Sequence, residues 1–440
     1  MLPLTLPGMK NFLTRLACLT SLLAVRSAGL AQPAAPNYDE SKVPAYTLPD
    51  PLQCRDGSAV QDAAQWTSQR RAELLGLFAE HVYGRSPARN PAQQIKLTSL
   101  ATNVFGGLAT RRQYTVWFTG STSGPSLNLL VYVPNTRKGP VPAFLGLNFN
   151  GNHAISADPG IRLSDRWLAN DKDGSVVNHR ATDAARGNEA ARWQVEKILR
   201  RGYAVATVYC GDLEPDFPEG WKQGVRAAFS PAGTTTTFKP DDWGAIAAWA
   251  WGLSRALEAL QTDPGVNPRR IAVIGHSRLG KTALWAGAQD ERFAMVISNE
   301  SGEGGAALAR RRVGETTAII QKSFPHWFCG NFKQYADREA AMPTDQHELL
   351  ALVAPRPLYV ASAEEDRWAD PRGEFLSAKG AEPVYALFGK AGLGVAEMPG
   401  TNQPAGDFIR YHIRTGQHDV TEYDWDQYLA FADRHLQGAK

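Results

Sequence analysis

Residues 271–281 read Ile-Ala-Val-Ile-Gly-His-Ser-Arg-Leu-Gly-Lys. A β-branched run stops at Gly275-His276-Ser277, and a helical pattern begins at once. A serine on a tight strand-to-helix turn is a nucleophile elbow: small residues must flank it, and the helix behind it aims N–H groups and positive dipole at the reacting carbonyl. Gly275 supplies one small neighbour, while the second glycine falls at Gly280, one place later than usual, with Leu279 in the expected position. The competing reading of Ser277 is a plain helix cap. Arg278 and Lys281 sit in the first turn of that helix, where the dipole disfavours cations, so each points to a use other than helix stability.

A nucleophilic serine needs a base, and in this arrangement the chain order is Ser, acid, His. Nine histidines are present, and His412, His418 and His435 follow the last strand that can be placed. His412 lies in strand-like IRYHIR and His435 inside the final helical segment, whereas His418 stands in the loop RTGQHDVT, the best place for a base. Two acids are candidates to orient it. Asp366, in the loop after the strand at 358–361, holds the usual hydrolase position; Glu300 ends the strand one earlier. From the residues alone Asp366 is favoured. Trp368, among polar neighbours, is a candidate wall for a sugar ring.

These side chains need a frame. Residues 64–82 carry an apolar stripe, Trp66, Leu74, Leu75, Leu77 and Phe78, at helical spacing, and 113–118 with 127–133 read as an antiparallel hairpin. From 142 onward apolar runs alternate with amphipathic segments, among them YAVATVYCGD, DWGAIAAWAWGLSRALEAL, FAMVISNES and PRPLYVASAEED, before a last helix at 422–436. That alternation predicts an α/β fold of the α/β-hydrolase type, a mostly parallel sheet with helices on both faces in three layers. With no internal repeat or long linker, residues 61–440 are expected to be a single catalytic domain.

Residues 1–31 read as an export signal: Lys10 and Arg15, an apolar stretch at 16–25 too short to span a bilayer, then small residues. Residues 32–60 are a Pro- and Ala-containing leader. Removing the signal takes Lys10, Arg15 and Arg26 away and the formal charge from +3 to zero. The mature chain then has no excess charge for nucleic acid or an anionic membrane surface. A secreted or periplasmic location follows as an expectation. The three remaining cysteines, Cys54, Cys210 and Cys329, lack metal-site spacing and permit one disulfide at most; Cys210 reads as a buried thiol. No metal or organic cofactor is expected.

With these residues in hand the chain resembles the bacterial glucuronoyl esterases of carbohydrate esterase family 15. The likeness rests on Gly275-His276-Ser277-Arg278-Leu279-Gly280-Lys281, on the run Asn299-Glu300-Ser301-Gly302-Glu303-Gly304-Gly305, on Pro325-His326-Trp327-Phe328 and on His418-Asp419-Val420-Thr421, and it covers residues 40–437. It accounts for the displaced second glycine. It implies that Glu300 orients His418, against the preference from topology, with Asp366 able to share the task. It assigns Arg278 to the oxyanion site and Lys281 to the sugar hydroxyls. Glu315 falls where fungal members carry a sugar-binding glutamine, and Trp368 falls beside the ring. Fungal members have a bridged cysteine where His276 stands; Gln417 precedes His418 here, so that disulfide is absent. The second sugar-binding glutamate of fungal members has no match near Phe324. The implied activity is hydrolysis of 4-O-methyl-glucuronic acid esters that link glucuronoxylan to lignin alcohols. An acetyl esterase on hemicellulose and an inactive carbohydrate-binding homologue are the alternatives.

Overall fold

The structure is a computed structural model that describes residues 35–229 and 238–437. The expected export signal at 1–31 lies outside the described residues, as do 230–237 and 438–440.

Ten strands form one sheet among the described residues. In chain order they are β1 (Gln94–Val104), β2 (Ala109–Trp117), β3 (Ser126–Pro134), β4 (Val141–Asn148), β5 (Ala204–Tyr209), β6 (Val266–His276), β7 (Met295–Asn299), β8 (Leu358–Ala363), β9 (Ala405–Gly406) and β10 (Ile409–Arg414). Their spatial order is β1-β2-β3-β5-β4-β6-β7-β8-β10-β9. The six from β5 to β10 in that order run parallel; β1, β2, β3 and β9 are antiparallel additions at the edges. The parallel strands are buried on both faces, which is why β4, β5 and β7 read as continuous apolar runs. β1 went unread in the sequence because Leu97 and Leu100 are exposed at a sheet edge, leaving no alternation to detect.

Successive residues of a strand face opposite sides, and the two sides have separate cores. Ala143, Leu145, Leu147 and Val273 belong to the core that also holds the buried residues of α2 (Ala245–Leu260) and α3 (Arg278–Gln289). Phe144, Ile274, Ile297 and Tyr359 belong to the other, with α1 (Val195–Arg201) and α5 (Glu422–His435). Helix α4 (Pro371–Gly380) follows β8. The result is the three-layer α/β-hydrolase fold. Residues 63–83 are helical throughout, with wider π turns at Trp66–Arg70 and Ala79–Tyr83, and Trp66, Leu74, Leu77 and Phe78 are buried. No helix among the described residues is long and apolar enough to cross a membrane.

Register decides where the loops meet. His276 pairs with Asn299, Asn299 with Ala361, and Ala363 with Arg414. The carboxyl ends of β6, β7, β8 and β10 are therefore level, and the residues just beyond them share one edge. The connection also reverses direction beside β4, since β5 lies on one side of it and β6 on the other. Open α/β sheets bind ligands at such a switch point.

Candidate active site

Ser277 follows β6 with φ 57° and ψ −129°, a strained conformation for a residue with a side chain. Its N–H donates to Asn299 O at 2.9 Å, and Ser277 O accepts from the Gly280 and Lys281 amides. The turn is tight enough that a Cβ on Gly275 would lie 1.9 Å from Leu279 O. Gly280 packs against Ser301 and Asn299 O of the neighbouring loop. The displaced glycine thus serves helix-to-loop packing as well as the turn.

His418 lies in the loop between β10 and α5, with its side chain partly open to solvent. Its Nδ1 is 2.6 Å from Asp366 Oδ2 and 3.2 Å from Glu300 Oε2. Both sequence candidates for the acid therefore reach the same nitrogen, and Asp366 is the nearer. Burial works against a charged imidazole, but the hydrogen bonds to Asp366 and Glu300 outweigh it and hold His418 up to about 9. Burial pushes the Glu300 carboxyl up to about 7, against the pull of His418 and Arg414. Glu300 has φ 47°, so its strand ends in a second strained residue. His276 lies against His418 with the rings tilted by 39° and their centroids 4.4 Å apart; its Nδ1 meets Asn299 Oδ1 at 2.5 Å, and burial holds it neutral. Two like charges are thereby avoided. Cys54, Cys210 and Cys329 are all free and buried.

Two residues not singled out in the sequence hold this pair in place. Arg414, almost fully buried, donates to Glu300 Oε1 at 2.7 Å, to Asp424 Oδ2 at 2.8 Å and to the carbonyls of Gln417 and Asp419. It ties the acid to both ends of the histidine loop. Glu374 of α4 accepts from the Ser301 and Gly302 amides at 2.8 and 3.0 Å and from Ser362 Oγ at 2.6 Å, linking the Glu300 turn to β8. Buried charged side chains are rare without partners, so Arg414 beside the GQHD loop was the readable signal. His412, on β10, packs between Tyr359 and Asp424.

Arg278 starts α3, and its Nε is 2.5 Å from Asp216 Oδ2. The guanidinium carbon lies 4.5 Å from the Phe149 ring centroid and 5.9 Å from that of Trp327. Lys281, one turn on, is buried; its Nζ donates to Ser301 O at 2.5 Å and lies 3.8 Å from Glu315 Oε2. Burial lowers the lysine and raises Glu315, each partly offset by the other. Trp368 is 41% exposed, and its carbonyl accepts the Glu315 amide at 2.9 Å. Lys281, Glu315 and Trp368 are thus neighbours. Nδ1 of His418 and one carboxylate oxygen each from Glu300 and Asp366 lie within 4.8 Å of one another, the one grouping among the described residues with a spacing that a metal ion would fit.

A strained serine at the same sheet edge as a histidine with two carboxylates, and a cation in the next position, offer the groups that acyl transfer through a covalent ester needs. Comparison with known proteins narrows the family. The family model described as "Glucuronyl esterase, fungi" matches residues 236–389. The glucuronoyl esterase from Solibacter usitatus superposes with a TM-score of 0.85 at 52% identity, over 89% of this chain and 99% of its own. The chain belongs to carbohydrate esterase family 15, the glucuronoyl esterases. A promiscuous CE15 esterase from a marine bacterial metagenome matches with a TM-score of 0.85 at 48% identity, over 91% of this chain and all of its own. A curated relative, 4-O-methyl-glucuronoyl methylesterase of Phanerochaete carnosa, is 27% identical over 95% of this chain and 87% of its length. Within this family the bacterial likeness drawn from the Gly-His-Ser-Arg-Leu-Gly-Lys segment holds across nearly the whole catalytic chain.

Proposed function

We propose that this chain is a serine esterase that hydrolyses esters of glucuronic acid and its 4-O-methyl ether, including those joining glucuronoxylan to lignin alcohols. What supports the reading is a strained turn at Ser277, next to the His276 that lies against His418, together with the His418–Asp366–Glu300 cluster, in a chain of the glucuronoyl esterase family.

Ser277 Oγ adds to the ester carbonyl while His418 Nε2 takes its proton. Asp366 and Glu300, through Nδ1, hold the ring in the correct tautomer and stabilise the imidazolium. Negative charge then develops on the carbonyl oxygen, next to the Arg278 guanidinium and the Arg278 and Leu279 amides that open α3. The tetrahedral species collapses, and the alcohol leaves with the proton from His418. Water, deprotonated by the same histidine, cleaves the Ser277 ester and releases the acid. Lys281 and Glu315 hold sugar hydroxyls, and Trp368 lies along the ring face. Residues 1–31 direct export and are removed, and the substrate polymer is met outside the cytoplasm.

Turnover of methyl glucuronate and of acetylated xylan, by the wild type and Ser277→Ala, tests the reading. Hydrolysis of the glucuronate ester that vanishes in Ser277→Ala is expected. Faster release of acetate than of methanol would turn the assignment to a hemicellulose acetyl esterase, and no turnover of either would leave a binding protein.

A further inference from the structure

We propose that Asp216 is a positioning residue for Arg278, and that the oxyanion contact of the guanidinium depends on it. The inference rests on the role given to Arg278 above.

Arg278 has two reasons to be in the wrong place. It begins a helix, where the dipole repels a cation, and its long side chain loses rotamer freedom when fixed. Asp216 meets both. Its Oδ2 lies 2.5 Å from Nε, on the inner side of the guanidinium. Nε meets Asp216 as an ion pair without the geometry of a hydrogen bond, and among the described residues no hydrogen bond engages the two terminal nitrogens, so the part that can reach a carbonyl oxygen stays free. Phe149 and Trp327 flank the planar group.

Asp216 is itself held. Its Oδ1 accepts from Trp327 Nε1 at 2.7 Å and from His326 Nε2 at 2.9 Å. The Trp327 indole therefore both anchors the carboxylate and faces the arginine it holds. Burial opposes the charged carboxylate, but His326, Arg278 and Trp327 outweigh it and keep the group below the usual range. Two residues earlier, Glu214 is fully buried and paired with Arg226 at 2.5 and 2.7 Å, which fixes the backbone leading to Asp216. The motif Pro325-His326-Trp327 thus gains a purpose that the sequence did not disclose: two of its side chains aim one carboxylate. An ordinary partly exposed ion pair adds little to stability and nothing to rate; a positioning pair acts on the transition state.

The test is a double-mutant cycle on methyl glucuronate with Asp216→Asn, Arg278→Ala and the pair. Asp216→Asn keeps the shape and removes the charge. It should lower kcat roughly ten- to hundredfold, part of the 10²–10³ that an oxyanion donor supplies, with KM changed by less than about threefold. In the Arg278→Ala background it should cost nothing further. An equal fractional loss in both backgrounds, or an unchanged kcat for Asp216→Asn, would overturn the inference while leaving the role of Arg278 standing. An unchanged kcat for Arg278→Ala would overturn both. Should Asp216→Asn melt below the assay temperature, His326→Ala leaves the carboxylate and removes one of its anchors. A smaller drop in kcat, again absent without Arg278, supports the proposal, and a loss independent of Arg278 refutes it.

Discussion

Asp366→Asn, Glu300→Gln and the double variant ask whether two carboxylates share one histidine. In the wild type His418 Nδ1 lies 2.6 Å from Asp366 and 3.2 Å from Glu300. Removing the sole orienting carboxylate of a serine triad lowers kcat about 10⁴-fold, because the wrong tautomer forms. Here each single variant leaves a carboxylate in reach of the same nitrogen, and Glu300 is already pinned by Arg414 at 2.7 Å and by the Asp419 amide at 3.1 Å. Each single loss should therefore be roughly tenfold. The double variant should lose about 10⁴-fold, well beyond the hundredfold that independent effects would give. The pH profile supplies a second reading. A base acts only when unprotonated, so kcat/KM rises with pH along a limb set by His418, which the two acids hold up to about 9 against its ordinary 6.5. Taking one negative neighbour away lowers that value, so the limb should move to lower pH by about one unit or more. The ratio of wild-type to variant rate should then narrow as pH falls. Initial rates on methyl glucuronate from about pH 5 to about pH 10, with the released acid measured by chromatography, give both quantities. If Asp366→Asn alone lost as much as the double variant, Glu300 would have no part in orienting the base. If the limb stayed fixed or rose, the electrostatic account of His418 would be wrong.

Glu300→Gln should also destabilise the fold where Asp366→Asn does not, since it strips a partner from the buried Arg414; Asp424 remains at 2.8 Å, so the loss should stay below the 3–5 kcal/mol or so of an abandoned buried charge, read from urea midpoints. Arg278→Ala should lower kcat by about 10²–10³ and leave KM nearly unchanged, because the carbonyl oxygen is charged only in the transition state; a change confined to KM would make it a plain binding residue. Lys281→Ala and Glu315→Ala should raise KM for glucuronate esters and matter little for a small acetyl ester, in steady-state kinetics on both substrates. Gly275→Ala should prevent stable folding, since its methyl would meet Leu279 O at 1.9 Å and backbone cannot move aside; soluble yield and the urea midpoint report it.

Much of this protein was local and so legible in the chain. A strand that must end in Gly-His-Ser, a helix that must start with Arg, and alternating apolar runs are consequences of backbone geometry and periodicity within a dozen residues. They led to Ser277, to the α/β-hydrolase fold and to a histidine in the loop after the last strand. Strand β1 escaped because an exposed edge carries no burial pattern, and Asp216 because nothing around it in sequence marks it; its partners are 62, 110 and 111 residues away. The rivalry of Glu300 and Asp366 could not be decided from order along the chain, because both follow strands that end at the same level. Only the sheet register, which sets Asn299 against Ala361 and Ala363 against Arg414, brings both to one imidazole nitrogen. Residue types and local turns determine what chemistry is on offer; distances between groups brought together by parallel pairing decide which of them act on one another.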